Sequence, residues 1–256
     1  MHYRKPVIKA HGGAKEHEDL FPLSNTQQRC RALAFALALM PLSASALAPT
    51  STQGDTLKEL IDVIEDRHYA SRRYDDALSA QHFVAYLDAL DPQRMFFDAA
   101  DITEFSAWKL ELDNAARRGN LDPAFTMFNR YHEKLKSRLE NTLATLEQTL
   151  EVFDYELDEY LVIDHSTMPW ASNAEELDER WRKRLKNQAL SLMLADKPTD
   201  EIPETLARRY QNQLYRLDQY NAQDVFQIYA NTLAEQYDPH TNYFSPRRAE
   251  NFDINM

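Results

Sequence analysis

Five histidines beyond residue 48 are the side chains in this sequence best suited to proton transfer or metal binding. A metal-binding helix usually offers two histidines four residues apart, because that spacing puts both rings on one face. No two of the five have that spacing, so the sequence does not indicate a zinc-binding helix. They are His68, His82, His132, His165 and His240.

Motifs for nucleophilic or phosphate chemistry are also missing from the sequence. It contains neither a Gly-x-Ser-x-Gly motif nor a glycine-rich phosphate loop, and its four glycines are Gly12, Gly13, Gly54 and Gly119. A serine–lysine pair needs no fixed spacing, so spacing alone neither indicates nor excludes one. We therefore predict no catalytic residue, cofactor site or metal site from these residues.

Carboxylates are abundant, above all between Asp154 and Tyr160. Such a cluster could supply an acid/base pair or bind a cation, but it is more often a solvated face or a loop between helices. The chain has a formal net charge of -12, which disfavours binding to nucleic acid or to anionic membranes. A cation-binding helical protein stays open as one interpretation.

The N-terminal region has the pattern of a secretory signal. Arg29 and Arg31 precede an apolar run from Ala32 to about Leu42, and the small residues Ala44 and Ala46 follow. The run is shorter than the roughly 20 residues that span a bilayer. We predict a signal peptide over residues 1–48 with a long leading segment, cleavage after Ala46, and a periplasmic product without stable membrane insertion.

Cleavage at Ala46 changes the composition of the product. It removes Cys30, the only cysteine, so no disulfide or thiolate site is expected. It also removes six basic and three acidic residues, which takes the formal charge from -12 to -15. We expect a soluble protein stabilised by its apolar core.

Apolar residues then recur at helical spacing, which predicts an all-α domain of several helices over residues 49–236. The predicted helices include one capped by Asp55, one ending near Leu90, a long helix from about Pro123 to Leu150, and one from Ala174 to Leu194 capped by Asn173. Two more are separated at Asn221.

Two segments, "ALDPQRMFF" and "QYDPHTNYF", share a pattern after a helix. A proline disfavours helical geometry at the residue before it, and the aspartate can accept hydrogen bonds from N–H groups two or three residues on. Both are interpreted as structural helix exits rather than catalytic sites. The residues concerned are Asp91, Pro92 and Arg94 in the first segment, and Asp238, Pro239, His240, Thr241 and Tyr243 in the second.

The second exit leads into Ser245 and Pro246, which are typical of a helix cap and first helical position. We predict a short helix through Glu250, and an extended linker over residues 237–256 that enters another element.

The basic stretch "WRKRLK", with Trp181, Arg182, Arg184 and Lys186, could contact nucleic acid or lipid. The ordinary interpretation is ion pairing with the preceding Glu175, Glu176, Asp178 and Glu179. Trp181 and Leu185 would then face the core.

These segments together resemble one protein family. "YDPHTNYFSPRRAENFDINM" is similar to the segment before the PDZ domain of tail-specific proteases, the periplasmic C-terminal processing peptidases. "YLDALDPQRMFFDAADITEF" and "MPWASNAEELDERWRKRLKNQALSLML" are similar to parts of that family's N-terminal helical domain, in the same order.

The resemblance implies a role within a serine endopeptidase. In that family a PDZ domain captures apolar C-termini, and a serine nucleophile with a lysine base cleaves. No family catalytic residue falls on this sequence, so the chain alone should be inactive, as a truncated product or fragment. Its implied partners are the PDZ and protease domains, unfolded or apolar-tailed substrates through the parent enzyme, and a periplasmic adaptor. The alternative is a free-standing periplasmic helical scaffold or adaptor.

Overall fold

The computed structural model describes residues 46–163, 165 and 168–245. The predicted all-α fold is confirmed, since β pairing in these residues is limited to an isolated bridge between Asp98 and Ala171. The described α-helices are α1 (Ser51–Arg67), α2 (Asp76–Leu90), α3 (Ala99–Phe105), α4 (Leu112–Arg117), α5 (Asp122–Glu151), α6 (Ala174–Leu194), α7 (Ile202–Leu217) and α8 (Ala222–Ala234), with short 3-10 turns at Ser106–Trp108 and Thr199–Glu201.

Most of the signal pattern, including Ala44, lies outside the described residues, as do Pro246 and the predicted helix after it; Ala46 is the first residue described. No helix within the described ranges is both long and apolar enough to cross a membrane.

Helix α1 begins four residues before the predicted cap at Asp55. Thr50 is its cap, because its hydroxyl accepts from the Gln53 N–H (3.2 Å) and the Gln53 side chain accepts from the Thr50 N–H (2.9 Å). This reciprocal capping box satisfies two N–H groups that the helix cannot. Asp55 instead lies within the helix, exposed, 2.6 Å from Lys58. The prediction of Asp55 as the cap was wrong.

The first core lies between α1, α2, α4, α8 and the start of α5. Leu57 and Ile61 of α1 pack with Tyr86 of α2 and Phe226 of α8, all of them at most 2% exposed. The helix predicted to end near Leu90 is confirmed as α2, and its apolar residues Phe83, Tyr86, Leu87 and Leu90 are all buried.

Helix α5 continues from the first core into a second one. Its 30 residues make it about 45 Å long at 1.5 Å per residue. Phe125 and Phe128, near its start, belong to the first core, whereas Leu139 and Leu146 pack in the second with α6 and α7. The long predicted helix is confirmed within one residue at each end.

Two glycines make the closest backbone contact in the first core. A Cβ atom added to Gly54 in α1 would lie 2.4 Å from the carbonyl oxygen of Gly119. Gly119 has φ +68° just after α4, where it donates to Ala116 while Asn120 donates to Ala115 (2.8 and 2.9 Å), a Schellman helix end. Only glycine allows α1 to come this close.

The later helices begin where the sequence predicts. The Asn173 side chain accepts from the Glu176 N–H (2.9 Å) to cap α6, and Asn221, the predicted break, caps α8. The short helices α3 and α4 were not predicted. In α3 the start is marked by a reciprocal pair, Asp98 and Asp101.

Candidate functional site

The candidate site is the segment after α8, where the residues singled out in the second Asp-Pro motif contact other parts of the chain. We call residues 237–245 the exit segment. The His240 N–H donates to the Asp238 carboxylate (2.8 Å), and the Thr241 N–H donates to the Asp238 carbonyl (2.9 Å). The aspartate turn predicted here is confirmed, and Pro239 lies exposed within it.

The loop between α1 and α2 holds this turn from the other side. His68 Nε2 lies 3.1 Å from the Thr241 hydroxyl, the Tyr69 hydroxyl donates to Asp238, and Arg72 donates to the carbonyl of Gln236 (3.1 Å). Each contact joins residues more than 160 positions apart. The loop therefore determines where the chain goes after α8.

The His68 ring has a defined tautomer in this arrangement. The Ala70 N–H donates to Nδ1 (3.2 Å), so Nδ1 is the accepting nitrogen and Nε2 carries the hydrogen donated to Thr241. The ring also stacks on Tyr69, with centroids 4.6 Å apart, and meets Tyr237 edge-on at 5.7 Å. His68 thus serves as a structural link between loop and exit.

The hydrogen bond between Tyr69 and Asp238 shifts the pKa of both side chains. It raises the pKa of Tyr69 and, together with the His240 N–H, lowers the pKa of the Asp238 carboxyl. The charged carboxylate is the form that accepts these bonds, so the contact is present at neutral pH.

The end of the exit segment returns to α8. The Tyr243 N–H donates to the Asn231 side chain (2.7 Å), and the Tyr243 ring lies edge-on to Phe226 at 5.2 Å. Ser245 is buried, at 7% exposure. The end of the exit segment is thus held against α8 by the contacts of Tyr243.

The first Asp-Pro turn is built differently. The Asp91 carboxylate is fully buried and accepts from the N–H groups of Met95, Phe96 and Phe97 at 2.8–3.0 Å. The predicted bonds to residues two or three positions on were wrong here. The reason is burial: Phe96 and Phe97 enter the two cores, and their N–H groups need an internal acceptor.

Arg94, in the same turn as Pro92, makes contacts that stabilise the fold. Arg94 pairs with Asp88 at 2.7 Å, and its guanidinium lies 3.6 Å from the Trp170 ring centroid. A cation over a tryptophan face is attracted by the ring electrons. Arg94 therefore fixes the segment before α6, and Pro92 is exposed.

The basic helix α6 has buried apolar side chains on one face and charged side chains beside them. Trp181 is buried and donates to the Thr142 hydroxyl of α5 (2.8 Å), and Leu185 is buried beside it, as predicted. Arg184 contacts Gln93 and lies 5.3 Å from the Trp181 ring centroid.

Ion pairing along α6 is confirmed only in part. Glu179 pairs with Arg182 (2.7 Å) and Lys183 (3.6 Å) as expected, but Asp178 pairs with Arg138 of α5. Sequence spacing could not show this, because the partner lies on another helix.

Arg182 and Lys186 have a further partner in the acidic loop. Both bind Glu159, and their hydrogen bonds lower the pKa of Glu159 to about 2. Part of the acidic stretch thus secures the loop between α5 and α6. Among the described residues, no group of three or more His, Cys, Asp or Glu side chains is arranged to hold a metal ion.

Of the five histidines, His82 is the one that pairs with hydroxyl groups inside the core. Its Nδ1 lies 2.7 Å from the Tyr74 hydroxyl, and its Nε2 lies 3.1 Å from both the Tyr229 carbonyl and the Thr232 hydroxyl. Burial lowers the pKa of His82 to about 3. The ring is fully buried, so a substrate cannot reach it and its role is structural.

Sequence reasoning missed the loop residues that receive the exit segment. His68, Tyr69 and Arg72 lie in "RHYASRRY", an aromatic and basic cluster between two helices. The cluster signals an ordered loop, but nothing in it indicates a partner more than 160 residues away.

The chain is similar in sequence to proteins of one family. Residues 60–247 match the family described as the tail specific protease N-terminal domain. Over 187 residues the chain is 32% identical to the tail-specific protease of Haemophilus influenzae, and the match covers 73% of this chain and 26% of that protein. The matched range contains both Asp-Pro turns and the Trp181 helix, and the chain spans about a quarter of the length of this curated relative. The chain therefore belongs to the family of tail-specific protease N-terminal domains.

Proposed function

We propose that this chain is the non-catalytic N-terminal helical module of a periplasmic tail-specific (C-terminal processing) serine protease. A PDZ domain and a serine–lysine core would supply capture and cleavage of unfolded or apolar-tailed proteins. The helical module would help enclose the substrate and dock partners. Membership of the family supports the protease context.

The observation that carries the proposal is the attachment of the exit segment. Residues 237–245 follow the last described helix, yet His68, Tyr69, Arg72 and Asn231 all bind them or the residue before them. A domain that must sit at a set position beside the next one needs a fixed exit, because free linkers let domains move. The exit segment has this property.

The chemistry of the described side chains supports a non-catalytic role. His82, which has hydroxyl partners in the core, is sealed from solvent. His68, in the loop between α1 and α2, is bound to the Ala70 N–H and to the Thr241 hydroxyl. In these two arrangements the ring nitrogens already have partners within the protein, so neither of these two histidines is placed as a base for a substrate.

The periplasmic location rests on the N-terminal sequence. Arg29 and Arg31, the apolar run that follows and the small residues Ala44 and Ala46 are in the order expected of an export signal. Fractionation of cells with an antibody to the helical domain tests the location, which a purely cytoplasmic signal would contradict.

Peptide mapping of the native product tests the function. We expect peptides that continue from this sequence into a PDZ domain and a serine–lysine core, and none from residues 1–46. A stable native product that ends at Met256 would contradict the proposal and favour the free-standing scaffold or adaptor. So would cleavage of an unfolded reporter by the 256-residue chain that a serine-protease inhibitor abolishes.

A further inference from the structure

A groove of about 1080 Å³ runs between the C-terminal half of α5 and the start of α7. We call it the α5–α7 groove. Its floor is the edge of the second core, where Leu146, Leu150 and Ile202 lie, and the loop after α5 closes one side with Phe153 and Tyr155. It is large enough for several apolar side chains of a partner.

The floor of the groove can accommodate an apolar side chain of a partner protein. Met193 lines it beside Leu143, and both are only partly buried. Methionine adapts its shape to different apolar partners because its chain is unbranched and flexible. Partly buried apolar side chains packed against the second core thus reach the groove.

The rim of the groove is negatively charged. Glu147 and Glu151 of α5 and Asp200 before α7 line it, and none of them has an ion pair with another described residue. Glu204 reaches Arg208 only at 3.6 Å, with both side chains more than 60% exposed. The nearby Lys197 is already bound to Glu201. A partner with positive charges would therefore meet unopposed carboxylates.

We propose that the α5–α7 groove binds a basic amphipathic helix of a partner protein. Apolar residues at positions i, i+3, i+4 and i+7 of such a helix insert into the groove, and its lysines or arginines face the rim. Nucleic acid and anionic lipid are repelled by the same carboxylates. The inference rests on the proposed function in that it names a docking surface for a partner, but its test depends on this groove and not on a protease core.

A designed peptide tests the inference directly. The probe is a fluorescein-labelled helix of about 15 residues, roughly four turns, with leucines at i, i+3, i+4 and i+7 and lysines on the other faces. Two controls carry glutamates in place of the lysines, or the same residues in scrambled order. Fluorescence anisotropy with the full chain measures the affinity.

We expect saturable binding of the lysine helix that weakens at high salt, and at least about tenfold weaker binding of both controls. Absence of saturable binding would overturn the inference. Equal binding of the scrambled peptide would do the same, because it would point to charge attraction or to an extended chain.

Two pairs of variants then locate the binding. Glu147→Gln with Glu151→Gln should weaken binding of the lysine helix about tenfold. Glu59→Gln with Asp62→Asn removes the same charge from exposed positions of α1, a helix of the first core, and should leave the affinity unchanged. Equal effects of the two pairs would place the peptide elsewhere and refute the groove.

A third variant blocks the groove sterically. Ala144 is exposed on α5 and lines the groove, so Ala144→Arg adds bulk and a repelling charge without disturbing the core. Binding of the lysine helix should be lost while the circular dichroism spectrum is unchanged. Retained binding would contradict the proposal.

Discussion

His82 is a histidine held neutral by its surroundings. Its Nε2–H faces the Tyr229 carbonyl, which can only accept, so Nδ1 accepts from the Tyr74 hydroxyl. Both nitrogens are satisfied in this form, whereas a proton on Nδ1 would displace the hydroxyl hydrogen and bury a charge. Burial therefore lowers the pKa of His82 from 6.5 to about 3.

This shift predicts a dependence of stability on pH. Between pH 6.5 and pH 3 the unfolded chain binds a proton on His82 that the folded chain does not, so stability is full above pH 6.5 and falls as the pH drops. From pH 6.5 to pH 4 the loss should be about 3 kcal/mol. Urea unfolding of His82→Gln should show a lower stability at neutral pH but a shallower fall with acid. An equal slope in both proteins would contradict this role of His82.

The two Asp-Pro turns allow a matched comparison of burial. Asp91→Ala removes the acceptor of three buried N–H groups, each costing about 1–3 kcal/mol when left unpaired. We expect a loss of about 3 kcal/mol or more in urea unfolding. Asp238→Ala breaks bonds at the surface that water can replace, so its loss should be much smaller. Similar losses would mean that burial does not distinguish the two turns.

At the scale of elements, the contact between α1 and the end of α4 sets how tightly the first core closes. In a helix, Gly→Ala normally stabilises by about 1 kcal/mol. At Gly54 the new Cβ would lie 2.4 Å from a backbone oxygen that cannot rotate away. We expect Gly54→Ala to destabilise the protein by about 1–3 kcal/mol instead.

Thermal or urea unfolding measures this effect. Thr52→Ala, on the exposed side of the same helix, is the control and should change the stability by less than about 0.5 kcal/mol. A stabilised Gly54→Ala protein would show that the two backbones can separate without cost.

The sequence predicts the long helices better than their connections. Helices α5 and α6 carry a continuous apolar face, and α6 has a capping asparagine as well, so their ends were predicted within one residue. Helices α3 and α4 have only seven and six residues, too few to show a periodic pattern. The cap of α1 at Thr50 was missed because the first buried residues of the helix, Gln53 and Gly54, are not apolar. The apolar pattern therefore starts only at Leu57, after the helix has begun.

Only the local turn of the candidate site could be predicted from the sequence, and its long-range contacts could not. The turn at Asp238 follows from a local rule, the effect of proline and aspartate on the backbone. Its contacts with His68, Tyr69 and Arg72 depend on the packing of α1 against α8, which brings distant parts of the chain together. Local patterns contain no information about that packing.

At the scale of the whole molecule, α5 is the one described helix with residues in both cores. Its first turns pack with α1, α2 and α8, and its later turns pack with α6 and α7. A helix propagates order along its axis, because each backbone hydrogen bond depends on its neighbours. The two cores should therefore unfold together rather than separately.

Leu139→Ala tests this coupling. Leu139 is fully buried in the second core, so the change should cost about 2–5 kcal/mol. If α5 couples the cores, native-state hydrogen exchange should show a similar loss of protection at α2 and α8 as at α6 and α7. Leu57→Ala, equally buried in the first core, is the reciprocal control and should lower protection at α6 and α7. Loss confined to the mutated core would mean that α5 frays between two independent units, and that the exit segment, which belongs to the first core, does not sense events at the α5–α7 groove.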